Sequence, residues 1–231
     1  MDPYKKVTIT ISFSPLRALY SLVGVFVCFA LLGSPNKLAP ATAEAIEPPP
    51  PTPAQIAMNK EIAMVESEMV GRIRGATANE THKISVTIVK EARAAGFDPL
   101  WILAIIETES NYDMDACSPA KARGPMQLVR TTFDSVSDDP RMFDPVVNIK
   151  AGIKYLAKLG RTFKRPQSIL MAYNGGPRNA TNYLKAFYAG NDLSGFSDEM
   201  RSYPGKVMGK YAKLLARNGK NPKLAHKLYR V

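Results

Sequence analysis

The sequence predicts a mainly α-helical domain, and three observations carry that expectation. After residue 54 no segment alternates apolar and polar residues with the period of two that a half-buried strand needs. Apolar residues recur instead at spacings of three and four. The periodic stretches are punctuated by capping residues and by Gly75, Gly96, Gly124, Gly175-Gly176 and Gly190. Composition agrees. In 231 residues, 45% are hydrophobic and 22% charged, which suits one medium domain with extensions and argues against wholesale disorder.

Taken in order, the first element is an address. Lys5, Lys6 and Arg17 precede the uncharged run "ALYSLVGVFVCFALLG" at 18–33, and the small-residue stretch "APATAEA" follows. The pattern resembles a secretory signal peptide over 1–43, cut after Ala43. The rival is an uncleaved N-terminal anchor, although the run is shorter than the roughly 20 residues a transmembrane helix takes. Either reading exports the remainder, to the periplasm or an equivalent compartment. The "VFV" before Cys28 lacks the small residue that lipidation of that cysteine needs. Next, "EPPPPTP" at 47–53 reads as a polyproline spacer, extended by roughly 3 Å per residue.

A leading helix within the spacer segment 44–76 is marked by Ile62, Val65, Met69, Val70 and Ile73, and is expected to end near Gly75. The main domain is expected over 77–217. Asn79 is placed as cap of a helix running to about Ala95 and stopped by Gly96. Asp98-Pro99 opens the next, with the aspartate as cap and the proline at the first helical position. Further helices are expected at 126–135, 146–162, 166–174, 178–189 and 204–217. A basic tail, 218–231, closes the chain.

Several chemistries find no support. The cysteines are Cys28, inside the N-terminal run, and Cys117, which makes an internal disulfide improbable. His82 and His226 form no metal-ligand spacing, and there is no HExxH, G-x-S-x-G or glycine-rich phosphate loop after a strand. No metal or cofactor is expected. What is left is chemistry by carboxylates, hydroxyls and amides. The net charge is +11, and from Arg201 onward nine basic residues meet no acid, so polyanions are the favoured partners. A solubilising helix end reads equally well from charge alone.

The informative stretch is "ILAIIETESNY", 102–112. Its helix is apolar on every side and therefore buried on most sides. A carboxyl in its last turn meets desolvation and the negative end of the helix dipole, both of which raise its pKa, as a general acid requires. Glu107 and Glu109 project about 200° apart, so they cannot act as a facing pair. Periodicity does not choose between them, and both ending the helix at the surface is an equal alternative.

A resemblance makes the choice. "ETESNYDMDACSPAKARGPMQL" carries Glu109-Ser110, Tyr112, Ser118-Pro119, Ala122, Gly124 and Met126-Gln127-Leu128. Downstream lie "DPVVNIKAGIKYLAKL" at 144–159, "AYNGGP" at 172–177 and "EMRSYPGKV" at 199–207. In this order the blocks resemble the soluble lytic transglycosylase family (SLT domain), of the goose-type-lysozyme-like superfamily. The resemblance covers roughly 85–215. It implies a lysozyme-like fold, from the α+β lysozyme superfamily with little strand. The chain departs from the pattern at Pro125, Arg130, Met200 and Pro204. Because Pro204 lacks an N–H, the last helix is expected to begin near it.

The resemblance implies that Glu109 is the single acid/base. It would protonate the oxygen between N-acetylmuramic acid and N-acetylglucosamine, then deprotonate the muramyl 6-hydroxyl, which closes on C1 to give a 1,6-anhydro end. Tyr173 and Asn174 would sit near the acid and the sugar, with Glu199 and Tyr203 in the same groove. Ser118 and Gln127 suit sugar contacts or local bonds that fix their turn, with nothing to decide between these. Asp113 and Asp115 read as loop aspartates in solvent rather than a second catalytic carboxylate. Gly124, Gly175 and Gly176 read as backbone requirements. The implied partner is peptidoglycan glycan strands, with a secretion or envelope assembly as a further candidate. Nucleic acid is not expected, and membrane contact only through an uncleaved N-terminal segment. The alternatives are a hydrolytic muramidase of the same fold, or an idle wall-binding or secretion-apparatus subunit.

Overall fold

The computed structural model describes residues 50–225. The expected export segment 1–43, Cys28, the start of the proline run and the end of the basic tail lie outside the described residues. Among the described residues eight helices follow in order: α1 Pro53–Met69, α2 Ala78–Ala94, α3 Pro99–Glu109, α4 Arg130–Asp134, α5 Pro145–Thr162, α6 Pro166–Gly175, α7 Pro177–Tyr188 and α8 Asp198–Arg217. Among the described residues, β structure is limited to isolated bridges, Arg74 with Asp113, Cys117 with Arg123 and Arg123 with Leu128.

α3 is the axis of the molecule. Every residue from Pro99 to Ile106 is buried, as an all-round apolar helix demands. α8 and α2 pack along it, α1 lies against α2 and α3, and α6 joins α8 to α5 and α7. Val65 and Met69 of α1 are fully buried in the same core as Ile102, Ile105, Val207 and Leu214. The leading helix is thus part of the packed body formed by the helices that follow.

Element boundaries differ from expectation where a local signal outweighs periodicity. α1 stops at Met69, because Gly71 takes φ +74° and turns the chain. Val70 is left 66% exposed, and Ile73 reaches the core from the turn. The cap of α2 is Thr77, not Asn79. Its hydroxyl accepts from Glu80 N at 3.3 Å while Glu80 accepts from Thr77 N at 2.8 Å, a reciprocal capping box. α4 is only Arg130–Asp134, since residues 123–128 form a tight turn with Arg123 and Leu128 paired at 2.9 and 3.1 Å.

α8 begins at Asp198 and runs through Pro204, contrary to the start expected there. Ser197 caps it, accepting from Met200 N at 3.4 Å. An interior proline costs about 3 kcal/mol. Continuing the helix places Met200, Tyr203 and Val207 at spacings of three and four, and all three are buried. Each such burial contributes about 1.5–3 kcal/mol, so together they outweigh the proline.

Candidate active site

The end of α3 decides the site. Ser110 caps it, its hydroxyl donating back to Ile106 O at 3.0 Å. The chain then reverses through two left-handed residues, Asn111 at φ 50° and Tyr112 at φ 61°. Neither is glycine, so the reversal carries a cost of order 1–3 kcal/mol per residue, borne because the surroundings fix it. Tyr112 is fully buried, and its hydroxyl donates to Glu107 Oε2 at 3.0 Å.

The two glutamates part company here. Burial alone pushes the Glu107 carboxyl up. Hydrogen bonds from Arg72 and Tyr112, with the charges of Arg72 and Lys210, more than reverse this and leave it below the usual range. Glu107 is therefore an ionised, structural carboxylate, contrary to the expectation that the helix end raises any acid placed there. The expectation omitted cations arriving from other helices. Glu109 meets no such cation. Its carboxyl is pushed up to about 7, chiefly by burial; the Tyr203 hydrogen bond works against that rise and the negative charge of Glu199 adds to it.

Glu109 faces a cleft of about 740 Å³. Ser118, Gln127, Tyr173, Asn174, Glu199 and Tyr203, the residues singled out from sequence, all line that cleft. The Tyr203 hydroxyl donates to Glu109 Oε1, and the Tyr173 hydroxyl donates to Met126 O at 2.7 Å. Burial, and next the charge of Glu109, hold both phenols well above their ordinary pKa, so they stay protonated donors. Glu199 is an exposed wall residue.

The Ser118 and Gln127 alternatives are partly resolved by bonding. Ser118 Oγ accepts from Ala122 N at 3.1 Å, and Gln127 Nε2 donates to Ala116 O at 3.1 Å and Gly124 O at 2.9 Å. Both side chains brace the turn while presenting a face to the cleft. Asn148, which received no role from the sequence, is the turn's anchor. Fully buried, it accepts from Met126 N at 3.0 Å and donates to Arg123 O at 3.0 Å. Gly124 needs both its φ of +71° and its missing Cβ, which would meet the Asn148 side chain at 2.7 Å. Asp113 turns elsewhere, pairing with Arg74 at 3.3 Å, and neither it nor Asp115 lines the cleft.

Sequence reasoning missed Tyr155, Thr132 and Lys206, which also line the cleft. Tyr155 lies in a quoted block, and its ring sits 5.6 Å from that of Tyr173. Lys206 likewise lies in a quoted block, that at 199–207, three residues after Tyr203.

Comparison with known proteins points one way. The Transglycosylase SLT domain family matches residues 87–194. A membrane-bound lytic murein transglycosylase C of Klebsiella pneumoniae is 31% identical over 147 residues, covering 56% of this chain and 40% of that protein. The chain thus spans well under half the length of this curated relative. Among solved structures, an inactive mutant of the lytic transglycosylase Slt from Pseudomonas aeruginosa superposes with TM-score 0.51 and 27% identity, over 59% of this chain and 24% of that one. The 70 kDa soluble lytic transglycosylase of Escherichia coli, 20% identical, shares the fold with TM-score 0.53 over 74% of this chain and 31% of that one. With a buried acid at the end of the axial helix and the blocks around one cleft, residues 87–194 form a transglycosylase SLT domain with the lysozyme-like fold.

Proposed function

We propose that this chain is an exported peptidoglycan lytic transglycosylase in which Glu109 is the single general acid/base. The observation that carries the reading is the setting of Glu109 in the cleft wall. Its carboxyl is pushed up to about 7, chiefly by burial, and it is held by a phenol that stays protonated. Near neutrality such a group both gives and takes a proton. Glu109 donates its proton to the bridging oxygen as the bond from muramyl C1 breaks. The resulting carboxylate accepts the proton of the muramyl 6-hydroxyl as that oxygen bonds to C1. No water is consumed, and Glu109 ends protonated, ready for another cycle. A glycosidase with two catalytic carboxylates about 5–9 Å apart uses the second to activate water or to attack C1. An intramolecular hydroxyl removes that need. Ser118, Gln127, Tyr173, Asn174, Glu199 and Tyr203 are assigned to holding the sugars, and Tyr203 also to orienting the acid.

The relatives' names support the substrate, and the N-terminal pattern of 1–43 supports export. The deciding experiment is mass spectrometry of what the chain releases from purified peptidoglycan, beside Glu109→Gln. Muropeptides lighter by one water than reducing ones, with a rate lowered at least about 10²-fold in the variant, are expected. Reducing-end products would instead establish hydrolysis, with Glu199 as the residue to examine for activating water. Binding without release would establish an idle wall-binding subunit.

A further inference from the structure

We propose that Arg72 and Lys210 are positioning residues for Glu109, acting through Glu107 to lock the last turn of α3 against the cleft. The inference rests on the reading of Glu109 as the acid. Both cations lie outside the matched segment 87–194, one on the turn after α1 and the other on α8.

The last carbonyls of a helix lack intrahelical partners, so its final turn frays unless something holds it. Here the holding is done from outside. Lys210 Nζ donates to the Glu107 main-chain carbonyl at 2.8 Å and lies 3.7 Å from Glu107 Oε1. Arg72 meets Glu107 Oε2 at 2.9 Å, and its guanidinium lies 4.4 Å from the centre of the Tyr112 ring. That ring belongs to the left-handed reversal directly after Glu109. Arg72 also lies 3.7 Å from Glu68, which Arg217 and Asn218 of the α8 end each approach to 2.7 Å. The helix end and the turn after it are thereby clamped between α1 and α8.

The clamp acts by position. Glu107 points away from the cleft, about 200° round the helix from Glu109. The ionisable groups facing Glu109 are others: Tyr203 and Glu199 from α8 and Tyr173 from α6, with Lys206 and, from α5, Tyr155 in the same cleft. Loosening the last turn lets Glu109 slip from Tyr203 and admits water. Misplacement of a reacting group by about 1 Å can cost on the order of 100-fold in rate.

The test uses the full chain with Lys210→Met, Lys210→Arg and Glu107→Gln. For Lys210→Met, kcat on peptidoglycan fragments is expected to fall about tenfold with KM within about twofold, as for lost preorganisation. The alkaline limb of the pH–rate profile should move to lower pH, because burial is the larger influence on Glu109 and its relaxation by admitted water outweighs the opposing loss of the Tyr203 bond. Lys210→Arg should restore most of kcat, and Glu107→Gln, which keeps the side chain's shape, should move the limb the same way. The same shift should appear in a carboxyl NMR titration of Glu109, which needs no turnover. Absence of wild-type activity would therefore count against the functional reading while leaving the clamp measurable. An unchanged limb and an unchanged Glu109 titration in folded Lys210→Met and Glu107→Gln, with only a lowered Tm, would overturn the proposal.

Discussion

Two residues apart on one helix, Glu107 and Glu109 have opposite electrostatic fates. Helix position alone predicts raised pKa values for both, and the difference comes from what packs around each. Arg72 and Lys210 reach Glu107, while Glu109 receives a neutral phenol and the negative field of Glu199. This makes the pH dependence of the proposed reaction predictable. Glu109 must carry its proton to act as acid, so activity should fall as pH rises through about 7. The Tyr203 hydrogen bond favours the ionised form and holds that pKa down. In Tyr203→Phe the alkaline limb is therefore expected at higher pH than in the wild type, with kcat lowered severalfold through lost orientation. A pH–rate profile checks both, and a limb at unchanged or lower pH would contradict the assigned bond.

Among the elements, the junction of α6 with α8 governs the far wall of the cleft. Gly175 is helical, so its need is space. A Cβ there would collide with Cγ and Sδ of Met200 and stand 3.1 Å from its Cβ. The flexible end of methionine can yield, but its Cβ cannot move without α8. Gly175→Ala is therefore expected to cost about 1–3 kcal/mol in urea unfolding. It should also raise KM more than it lowers the melting point would suggest, because α8 carries Glu199 and Tyr203. Stability within about 0.5 kcal/mol of wild type would mean the helices part freely. Pro204 belongs to the same helix. From sequence it reads as a start, yet α8 passes through it because three side chains on that helix gain the core.

For the whole molecule, charge is the property that acts at a distance. With a net +11 and a basic C-terminal third, the chain is expected to associate faster with an anionic wall polymer than a neutral protein of its size. Raising salt from about 0.1 to about 1 M shortens the screening length from roughly 10 to roughly 3 Å. Retention on purified sacculi should fall severalfold over that range, as a pelleting assay would read. Salt-insensitive retention would place recognition in the cleft alone.

Local chemistry was enough to read most helices. Asp98-Pro99 opens α3 as expected, and α5, α6 and α7 lie within a residue of their expected bounds. The cap of α2 is expected at Asn79 instead of Thr77, although Glu80 stands at the capping-box spacing from Thr77. The end of α1 and the shortness of α4 were harder, because there glycine geometry and a buried Asn148 override an apolar stripe. Glu109 and six of the side chains that line its cleft stand in the quoted motifs, whereas Thr132, Tyr155 and Lys206 were not singled out. The choice of acid on physical grounds could not be read there, nor could its partner. Tyr203 lies 94 residues from Glu109 and Lys210 lies 103 from Glu107. Helix-forming interactions act over one or two turns and leave their mark on nearby letters. A carboxyl's proton affinity depends on charge and solvent within a few ångströms, and folding alone brings those neighbours together.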